Sequence, residues 1–338
     1  MKVRVAINGY GRIGRCVLRA LYEGGRTSEL SVVAINELVD IKTMAHLTRF
    51  DSTHGRFNGT VSVDGDTLVV NNDPIRVVSE PDMAKLPWAG LGVDVVLECT
   101  GSFTRKDMAA RHLEAGARKV VFSCPAERDV DATIVYGLNQ SMLSCDHTII
   151  SNASCTSNCI SHLIRILDQA FGIEQGVITT IHSAMNDQPV IDSFCSQDYR
   201  KNRGAFASIV PVGTGLEKGI DRLFPHLKGR FEAVALRVPT PNVSAMQLTV
   251  NVGVTTDRTA VNQALRSASQ GALEGILGFS DEPLVSCDFN HDPRSAIVDA
   301  AQTRVVNGSL VHVMAWFDNE WGYANRMLDT CLALVNAR

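Results

Sequence analysis

Long apolar runs are missing from this chain of 338 residues, and so is an excess of positive charge. No segment approaches the ~20 consecutive apolar residues that a membrane-spanning helix needs, and the formal net charge is −4. Neither a nucleic acid nor a membrane is therefore expected as a partner. The N-terminal segment Met1–Ile7 is too short and too charged for a secretory signal peptide, which favours a cytoplasmic location.

The cysteines, although there are nine, lack the spacing of a disulfide framework. Cys155 and Cys159 fall one helical turn apart, but no further cysteine or histidine pair nearby completes a tetrahedral set, so no metal site is expected. We expect free thiols in a reducing compartment. The length favours two domains, and the chain shows neither an internal repeat nor a low-complexity linker.

The beginning of the chain carries a dinucleotide-binding fingerprint. A buried strand, Val3–Ile7, is followed by the pattern G-x-G-x-x-G at Gly9, Gly11 and Gly14, and then by a helical segment over 15–22. The first glycine permits the tight turn, the second lets a pyrophosphate approach the backbone, and the third lets helix pack on strand. The start of the helix is then expected to receive the pyrophosphate.

A second predicted strand, Ser31–Ile35, ends at Asn36 and Glu37. In this fold a carboxylate about 20 residues beyond the glycines accepts hydrogen bonds from the adenosine ribose and repels a 2′-phosphate. Glu37 therefore favours NAD over NADP as the cofactor. The alternative is a solvated glutamate at the end of a strand.

Strands and helices then alternate. Apolar strands are predicted at 93–99 and 119–123, a helix at 105–116 lies between them, and an antiparallel ribbon is inserted at 56–80. This alternation is typical of an α/β fold with a doubly wound parallel sheet of the Rossmann type. Ser123 ends a strand at the edge of the sheet where the cofactor is expected to bind.

After residue 153 the pattern changes to long alternating strands. Strands are predicted at 176–182, 231–238, 243–254, 284–288 and 310–317, and helices at 160–167, 208–223 and 257–270. This pattern predicts a mixed, largely antiparallel α+β catalytic domain over 154–318, preceded by an NAD-binding domain over 1–153. The C-terminal helical segment, 319–338, is expected to pack back on the first domain. The polar stretch 183–208 is too long for an ordinary connector, so we expect it to be functional or buried in a partner subunit.

The run Ser151–Cys159 places Cys155 where an apolar strand gives way to a helix. Free backbone N–H groups and the positive end of the helix dipole favour the thiolate, which is the form that attacks carbonyl carbons. For an isolated motif, the alternative is a small buried cysteine in a capping segment. His182 ends a neighbouring strand and is the candidate base, and the backbone N–H of Cys155 is the candidate oxyanion donor. With a nicotinamide cofactor, these groups indicate aldehyde oxidation through a thioester.

Four segments resemble the glyceraldehyde-3-phosphate dehydrogenase superfamily, and the resemblance extends from one end of the chain to the other. They are Ala6–Arg15, Ser151–Asn158, Arg237–Ser244 and Trp316–Tyr323. The Ser-Asn-Ala-Ser-Cys-Thr run is close to diagnostic. The resemblance implies a homotetramer that binds NAD and acts on a sugar phosphate.

The resemblance also implies roles for individual residues. Cys155 matches the nucleophile and His182 its base. The substrate-contacting and anion-binding positions correspond to Ser154, Thr156, Arg200, Thr214, Gly215 and Arg237. The NAD contacts include Arg12, Ile13 and Asn319, whose amide would hold the nicotinamide carboxamide. For Arg200, a surface arginine in an ion pair is the alternative.

Within the superfamily the chain more closely resembles the D-erythrose-4-phosphate dehydrogenases. The features that point there are Asn36-Glu37, His182–Met185, Asp288–Asp299 and Asn325–Thr330. This resemblance implies oxidation of D-erythrose 4-phosphate to 4-phosphoerythronate in pyridoxal 5′-phosphate biosynthesis, with water releasing the Cys155 thioester. The alternatives are a phosphorylating glyceraldehyde-3-phosphate dehydrogenase and, from another class, an NAD-binding redox sensor in which Cys155 is only a switch.

Two positions depart from the pattern of the family. Met185 stands where the glycolytic enzymes usually carry a hydroxyl residue that binds the substrate phosphate. Pro81 stands where the family often places an arginine near the adenine, so NAD is expected to be held less tightly. Conversely, Thr214-Gly215 follows the glycolytic pattern.

Overall fold

The computed structural model describes residues 2–338, and the chain divides into two compact units. The first comprises the residues through Ser154 together with Ala324–Arg338, and the second comprises Cys155–Tyr323. Among the described residues, no helix has both the length and the apolar character that crossing a bilayer requires.

The first unit is built on a sheet that is parallel over most of its width. Its strands are β1 (Val3–Asn8), β2 (Leu30–Asn36), β5 (Val61–Asp64), β6 (Thr67–Val70), β7 (Asp73–Val78), β8 (Val95–Glu98), β9 (Lys119–Phe122), β10 (Ala132–Thr133) and β11 (Ile149–Ser151), while β3 (Phe50–Asp51) and β4 (Gly55–Arg56) form a separate short pair. The strand order is β10-β11-β9-β8-β1-β2-β7-β6-β5. The helices are α1 (Arg12–Glu23), α2 (Ile41–Arg49) and α3 (Lys106–Glu114). The predicted Rossmann-type sheet is confirmed, and the ribbon at 56–80 extends it because β7 pairs in parallel with β2.

The central parallel strands are short apolar runs, as expected for strands covered on both faces. Val95, Val96 and Leu97 of β8, for example, have no exposed surface. Three neighbouring strands, β1, β2 and β8, end in a polar residue instead: Asn8 in β1 is in register with both Asn36 of β2 and Glu98 of β8. Because parallel strands end at the same edge, these three polar side chains gather there.

The second unit is a mixed sheet with helices packed against it. Its strands are β12 (Ile173–His182), β13 (Val210–Val212), β14 (Phe231–Arg237), β15 (Ser244–Val252), β16 (Leu277–Ser280), β17 (Ala296–Asp299), β18 (Arg304–Val306) and β19 (Leu310–Phe317). The order is β13-β14-β12-β15-β19-β17-β16, with β18 also paired to β19, and most pairs are antiparallel. The helices are α4 (Cys155–Phe171), α5 (Leu216–Leu223) and α6 (Arg258–Ser269). The last helix, α7 (Trp321–Val335), begins in the second unit and belongs to the first from Ala324 onward. The buried α4 packs against β12, β15 and β17 and against α5 and α6, and the predicted mixed α+β domain is confirmed.

Two elements predicted in this unit are wrong. The helix predicted over 208–223 is helical only from Leu216, because Val210–Val212 pairs with β14 as an edge strand, where Pro211 is tolerated. The strand predicted over 284–288 is instead a turn that leads into a 3₁₀ helix, Ser286–Phe289. There the Asp288 carboxylate accepts the backbone N–H of Val285 at 2.8 Å, which bends the chain.

Candidate active site

Helix α4 begins at Cys155, immediately after a sharp turn. Ala153, two residues earlier, has a φ of +57°, a left-handed conformation that costs energy in any residue with a Cβ. Ser154 completes the turn, and Thr156 follows Cys155 in the first turn of the helix. The backbone thus presents the thiol at the start of the helix, as the sequence predicts.

His182 ends β12 and faces the thiol. Its Nε2 lies 3.8 Å from the Sγ of Cys155, and its Nδ1 lies 2.9 Å from the carbonyl oxygen of Ser183. A carbonyl only accepts hydrogen bonds, so Nδ1 carries the proton and the Nε2 lone pair is directed at the sulfur. The imidazole is therefore in the tautomer that can take the thiol proton.

The charge balance at the thiol differs from the one inferred from the helix start alone. Burial raises the pKa of Cys155 to about 12, while the N–H groups of Thr156 and of Cys155 itself act in the opposite direction. The carboxylates of Glu320 and Asp318 raise it further. Burial also lowers the pKa of His182. The resting pair is consequently a neutral thiol beside a neutral imidazole.

Arg237 lies beside His182 because β14 runs parallel to β12 with these two residues in register. The guanidinium donates to both carboxylate oxygens of Asp187, and Lys201 Nζ lies 3.3 Å from the same carboxylate. Burial opposes ionisation of Asp187, but the Arg237 hydrogen bonds outweigh it and lower the pKa of that carboxyl. Two cations around one carboxylate leave a net positive charge, which suits one phosphate group.

Asn319 is held by two hydroxyl groups. Its Oδ1 accepts hydrogen bonds from Ser183 Oγ at 2.9 Å and Ser244 Oγ at 2.8 Å. The amide NH₂ therefore points away from these hydroxyls. This is the orientation needed if the NH₂ is to donate to a nicotinamide carboxamide, as we propose. Val243, immediately before Ser244, has a φ of +63°, an outlier for a β-branched residue and a sign of a tightly constrained backbone.

Of the other predicted anion-binding residues, two lie at the start of a helix and one is exposed in a 3₁₀ helix. Thr214 and Gly215 directly precede α5, and Thr214 Oγ1 accepts the N–H of Leu216 at 3.2 Å. Arg200 is exposed in the 3₁₀ helix Tyr199–Asn202, and the structure does not bring its guanidinium into the hydrogen-bonded group around Arg237.

In the first unit, two of the fingerprint glycines, Gly9 and Gly11, border a cavity of about 350 Å³. Gly9 has a φ of +89°, and a Cβ on Gly14 would approach the carbonyl oxygen of Gly9 to 2.3 Å. A Cβ on Gly11, in contrast, would meet no protein atom within 4 Å. Gly11 thus leaves open space where the fingerprint expects a pyrophosphate, and the residues present fit a dinucleotide.

The cavity is lined by polar strand ends and by the loops that follow them. The lining residues are Asn8, Gly9, Gly11, Asn36, Glu37, Leu38, Glu80, Pro81, Met83, Cys99, Thr100, Ser102 and Phe103. The Glu37 carboxylate accepts the N–H groups of Tyr10 and Leu38, each at 2.7 Å, and so connects β2 to the glycine loop. Pro81 is also in the lining, at the position where the family often has arginine.

The three remaining predicted cofactor residues lie at the start of α1 and at the end of β9. Arg12 and Ile13 begin α1, and the Arg12 guanidinium is paired with Asp51 on both of its terminal nitrogens. Ser123 directly follows β9 and donates its N–H to the carbonyl of Glu98 at 2.9 Å. All three remain proposed cofactor contacts.

Two domain models of one family match the chain. The model described as glyceraldehyde 3-phosphate dehydrogenase, NAD binding domain, matches residues 3–106, and the model described as glyceraldehyde 3-phosphate dehydrogenase, C-terminal domain, matches residues 154–319. The chain belongs to the glyceraldehyde 3-phosphate dehydrogenase family. As a member of that family it is an NAD-dependent dehydrogenase acting on a phosphorylated aldehyde, and the prediction of NAD as the cofactor is confirmed.

Several residues at this site were not identified from the sequence. Asp187 and Lys201 lie in the long stretch 183–208, which has no periodicity from which their pairing with Arg237 could be read. Ser183 and Ser244 each follow or begin a strand, and only the fold brings both hydroxyls to Asn319. The only sequence signal for Ser183 and Ser244 was that each lies within two residues of a recognised position, His182 or the segment that begins at Arg237.

We expect Cys155→Ser to abolish aldehyde-dependent NADH formation, because a hydroxyl is far less ionised than a thiol.

His182→Asn should lower the rate of NADH formation by ~10²–10⁴-fold, since proton transfer is lost while the thiol stays in place. Because burial lowers the pKa of His182, the wild-type rate should fall only at pH values below the ordinary histidine range, and His182→Asn should lack that limb. Rates measured across pH check this. An unchanged rate and profile in His182→Asn would make His182 structural.

We expect kcat/KM to be higher for NAD than for NADP, because the Glu37 carboxylate would meet the additional 2′-phosphate with like charge. Glu37→Gln should narrow this preference, since the amide can still accept the N–H of Tyr10 but carries no charge. Steady-state kinetics with both cofactors measure the ratio. Equal values in the wild-type chain would mean that Glu37 does not face the ribose.

Proposed function

We propose that the chain oxidises D-erythrose 4-phosphate to 4-phosphoerythronate, and that water releases the acyl group from Cys155. The observation that carries this proposal is the charge group around Arg237, which suits one phosphate and not two. Both terminal nitrogens of the Arg237 guanidinium already donate to the Asp187 carboxylate, and Lys201 is paired with the same carboxylate. As the sequence resemblance implies, the reaction would serve pyridoxal 5′-phosphate biosynthesis.

The first chemical step uses the neutral pair described above. His182 Nε2 takes the proton from the Cys155 thiol as the sulfur attacks the aldehyde carbon, which gives a thiohemiacetal. The backbone N–H of Cys155, at the start of α4, is the donor we propose for the developing oxyanion. NAD, for which the glycine loop and Glu37 would provide the binding site, would supply the hydride acceptor that makes this an oxidation.

Release of the acyl group needs a second nucleophile. Once His182 has lost its proton to solvent, it can deprotonate a water that attacks the thioester carbon, so that the free acid leaves and the Cys155 thiol is regenerated. Inorganic phosphate would bring a second anion to a region where Asp318 and Glu320 already act on the sulfur with negative charge. Neutral water meets no such repulsion.

One observation favours the phosphorylating glyceraldehyde 3-phosphate reaction as a second candidate. Thr214-Gly215 stands at the start of α5, the position of an anion-binding pair in the glycolytic pattern, and it offers donors for a second phosphate. A redox sensor is less well supported, because the directed Nε2 lone pair of His182 serves proton transfer and a sensor needs no base.

The decisive assay compares two aldehydes, D-erythrose 4-phosphate and glyceraldehyde 3-phosphate, with and without inorganic phosphate. We expect substantial NADH formation from D-erythrose 4-phosphate in phosphate-free buffer, with the free acid as product. Met185→Thr should raise the phosphate-dependent rate several-fold by restoring a hydroxyl, and Met185→Leu is the matched control that should not. Strict dependence on phosphate, with an acyl phosphate as the main product, would overturn the proposal.

We infer that the chain is a homotetramer and that the segment 183–208 is buried between its subunits. The segment was expected to be polar, yet it and the residue that follows it expose several large apolar side chains by 55–86 %, namely Val190, Ile191, Phe194, Tyr199, Phe206 and, directly after it, Ile209. Several strongly exposed apolar side chains within one segment are typical of a protein interface. Native mass spectrometry should give four copies per particle, and Phe194→Asp together with Ile191→Asp should shift the protein to smaller species. A monomeric wild-type particle would contradict the inference.

A further inference from the structure

A line of buried polar side chains in the first unit ends at the dinucleotide cavity and takes no part in the chemistry above. The indole Nε1–H of Trp88 donates to His112 Nδ1 at 3.1 Å, and His112 Nε2 lies 3.1 Å from the Glu98 carboxylate. The same carboxylate accepts from Asn8 Nδ2 at 2.6 Å, and Asn8 Oδ1 accepts from Asn36 Nδ2 at 2.8 Å. We call these five residues the buried relay.

The relay has a fixed direction. An indole N–H can only donate, so His112 Nδ1 must accept, and the ring is held as the neutral Nε2–H tautomer that donates to Glu98. At the other end the backbone N–H of Glu80 donates to Asn36 Oδ1 at 2.9 Å, which fixes both amide orientations. Neither end can be reversed, because both are donors without an acceptor atom.

The carboxyl group of Glu98 is the centre of the relay, and only 1 % of this residue is exposed. It receives hydrogen bonds from Asn8, from His112, and from both the N–H and the hydroxyl of Thr100. Within residues 2–338 no lysine or arginine forms an ion pair with it, and its contact with His112 is made through Nε2. A buried carboxyl group of this kind keeps its position only while its hydrogen-bond partners stay in place.

The relay reaches the cofactor site through Thr100. The backbone of Thr100 lies so close to Gly9 that a Cβ on Gly9 would approach Thr100 N to 2.7 Å. Thr100 is therefore packed directly against the glycine loop. Asn8, Asn36 and Thr100 also line the cavity directly.

We propose that Glu98, His112 and Trp88 are positioning residues for the cofactor: the buried relay holds Thr100, and through it Gly9, in the shape that the dinucleotide requires. None of the three touches a reacting atom. This inference needs only the NAD-binding domain and not the proposed aldehyde, so its test uses NAD alone and stands whichever substrate is correct.

The test compares a matched pair of variants at His112. His112→Leu removes both the acceptor for Trp88 and the donor to Glu98. His112→Gln keeps one acceptor and one donor, and so imitates the neutral tautomer. Lys119→Met is the control, since it deletes two hydrogen bonds at the amino end of β9, remote from the cavity edge.

We expect NAD binding to the full chain, measured by calorimetry, to weaken by at least ~10-fold in His112→Leu, about the effect of one lost hydrogen bond. His112→Gln and Lys119→Met should stay within about threefold of wild type, and kcat at saturating NAD should change little because the chemistry lies elsewhere. Hydrogen exchange over residues 98–104 should accelerate in His112→Leu and not in His112→Gln. Wild-type affinity in His112→Leu, or equal loss in His112→Leu and His112→Gln, would overturn the proposal.

If His112→Leu does not fold, Trp88→Phe gives the milder test. It removes only the donor at the end of the relay, so that His112 is no longer held in one tautomer. NAD binding should weaken by about threefold, with faster exchange confined to residues 98–104. Unchanged affinity and exchange in Trp88→Phe would equally overturn the proposal.

Discussion

The proposed catalytic pair of Cys155 and His182 depends on one hydrogen bond, between Nδ1 of His182 and the carbonyl of Ser183. It fixes the tautomer, and so turns a buried, neutral imidazole into a base directed at Cys155. The strand that carries His182 also fixes the position of Arg237, its partner in register, and thereby the distance between the reacting sulfur and the cationic group. Even the adjoining Ser183 side chain contributes, because its hydroxyl holds Asn319. A short segment at one strand end thus orients base, anion site and amide together.

Features set by residues close together in the sequence could be predicted, and features set by contacts between distant residues could not. Hydrophobic period, glycine spacing and the strand-to-helix transition at Cys155 are local, and they yielded the Rossmann-type sheet, the mixed second sheet and the NAD fingerprint. The misassigned segments, 208–223 and 284–288, were decided by edge pairing with β14 and by the Asp288 side chain, neither of which has a periodic signal. The state of the thiol was likewise a tertiary property, because burial and two distant carboxylates outweigh the helix start.

Both units use buried carboxylates as structural centres surrounded by donors. Asp318 is 1 % exposed and accepts the amide of Asn242 together with the N–H groups of His291, Glu320 and Trp321, which fixes the start of α7 next to Asn319. Glu98 does the same at the edge of the parallel sheet. A carboxylate with several directed donors tolerates little rearrangement, since each lost donor leaves charge unsatisfied. Such centres give rigidity to the loops beside them.

The position of Cys155 has a consequence for how the reactivity of its sulfur is controlled. Burial raises the pKa of this thiol, and the Sγ atom lies 3.8 Å from Nε2 of His182. Conversion to the more nucleophilic thiolate therefore depends on a proton acceptor at that distance. The orientation of one neighbouring ring thus acts as the control on the sulfur.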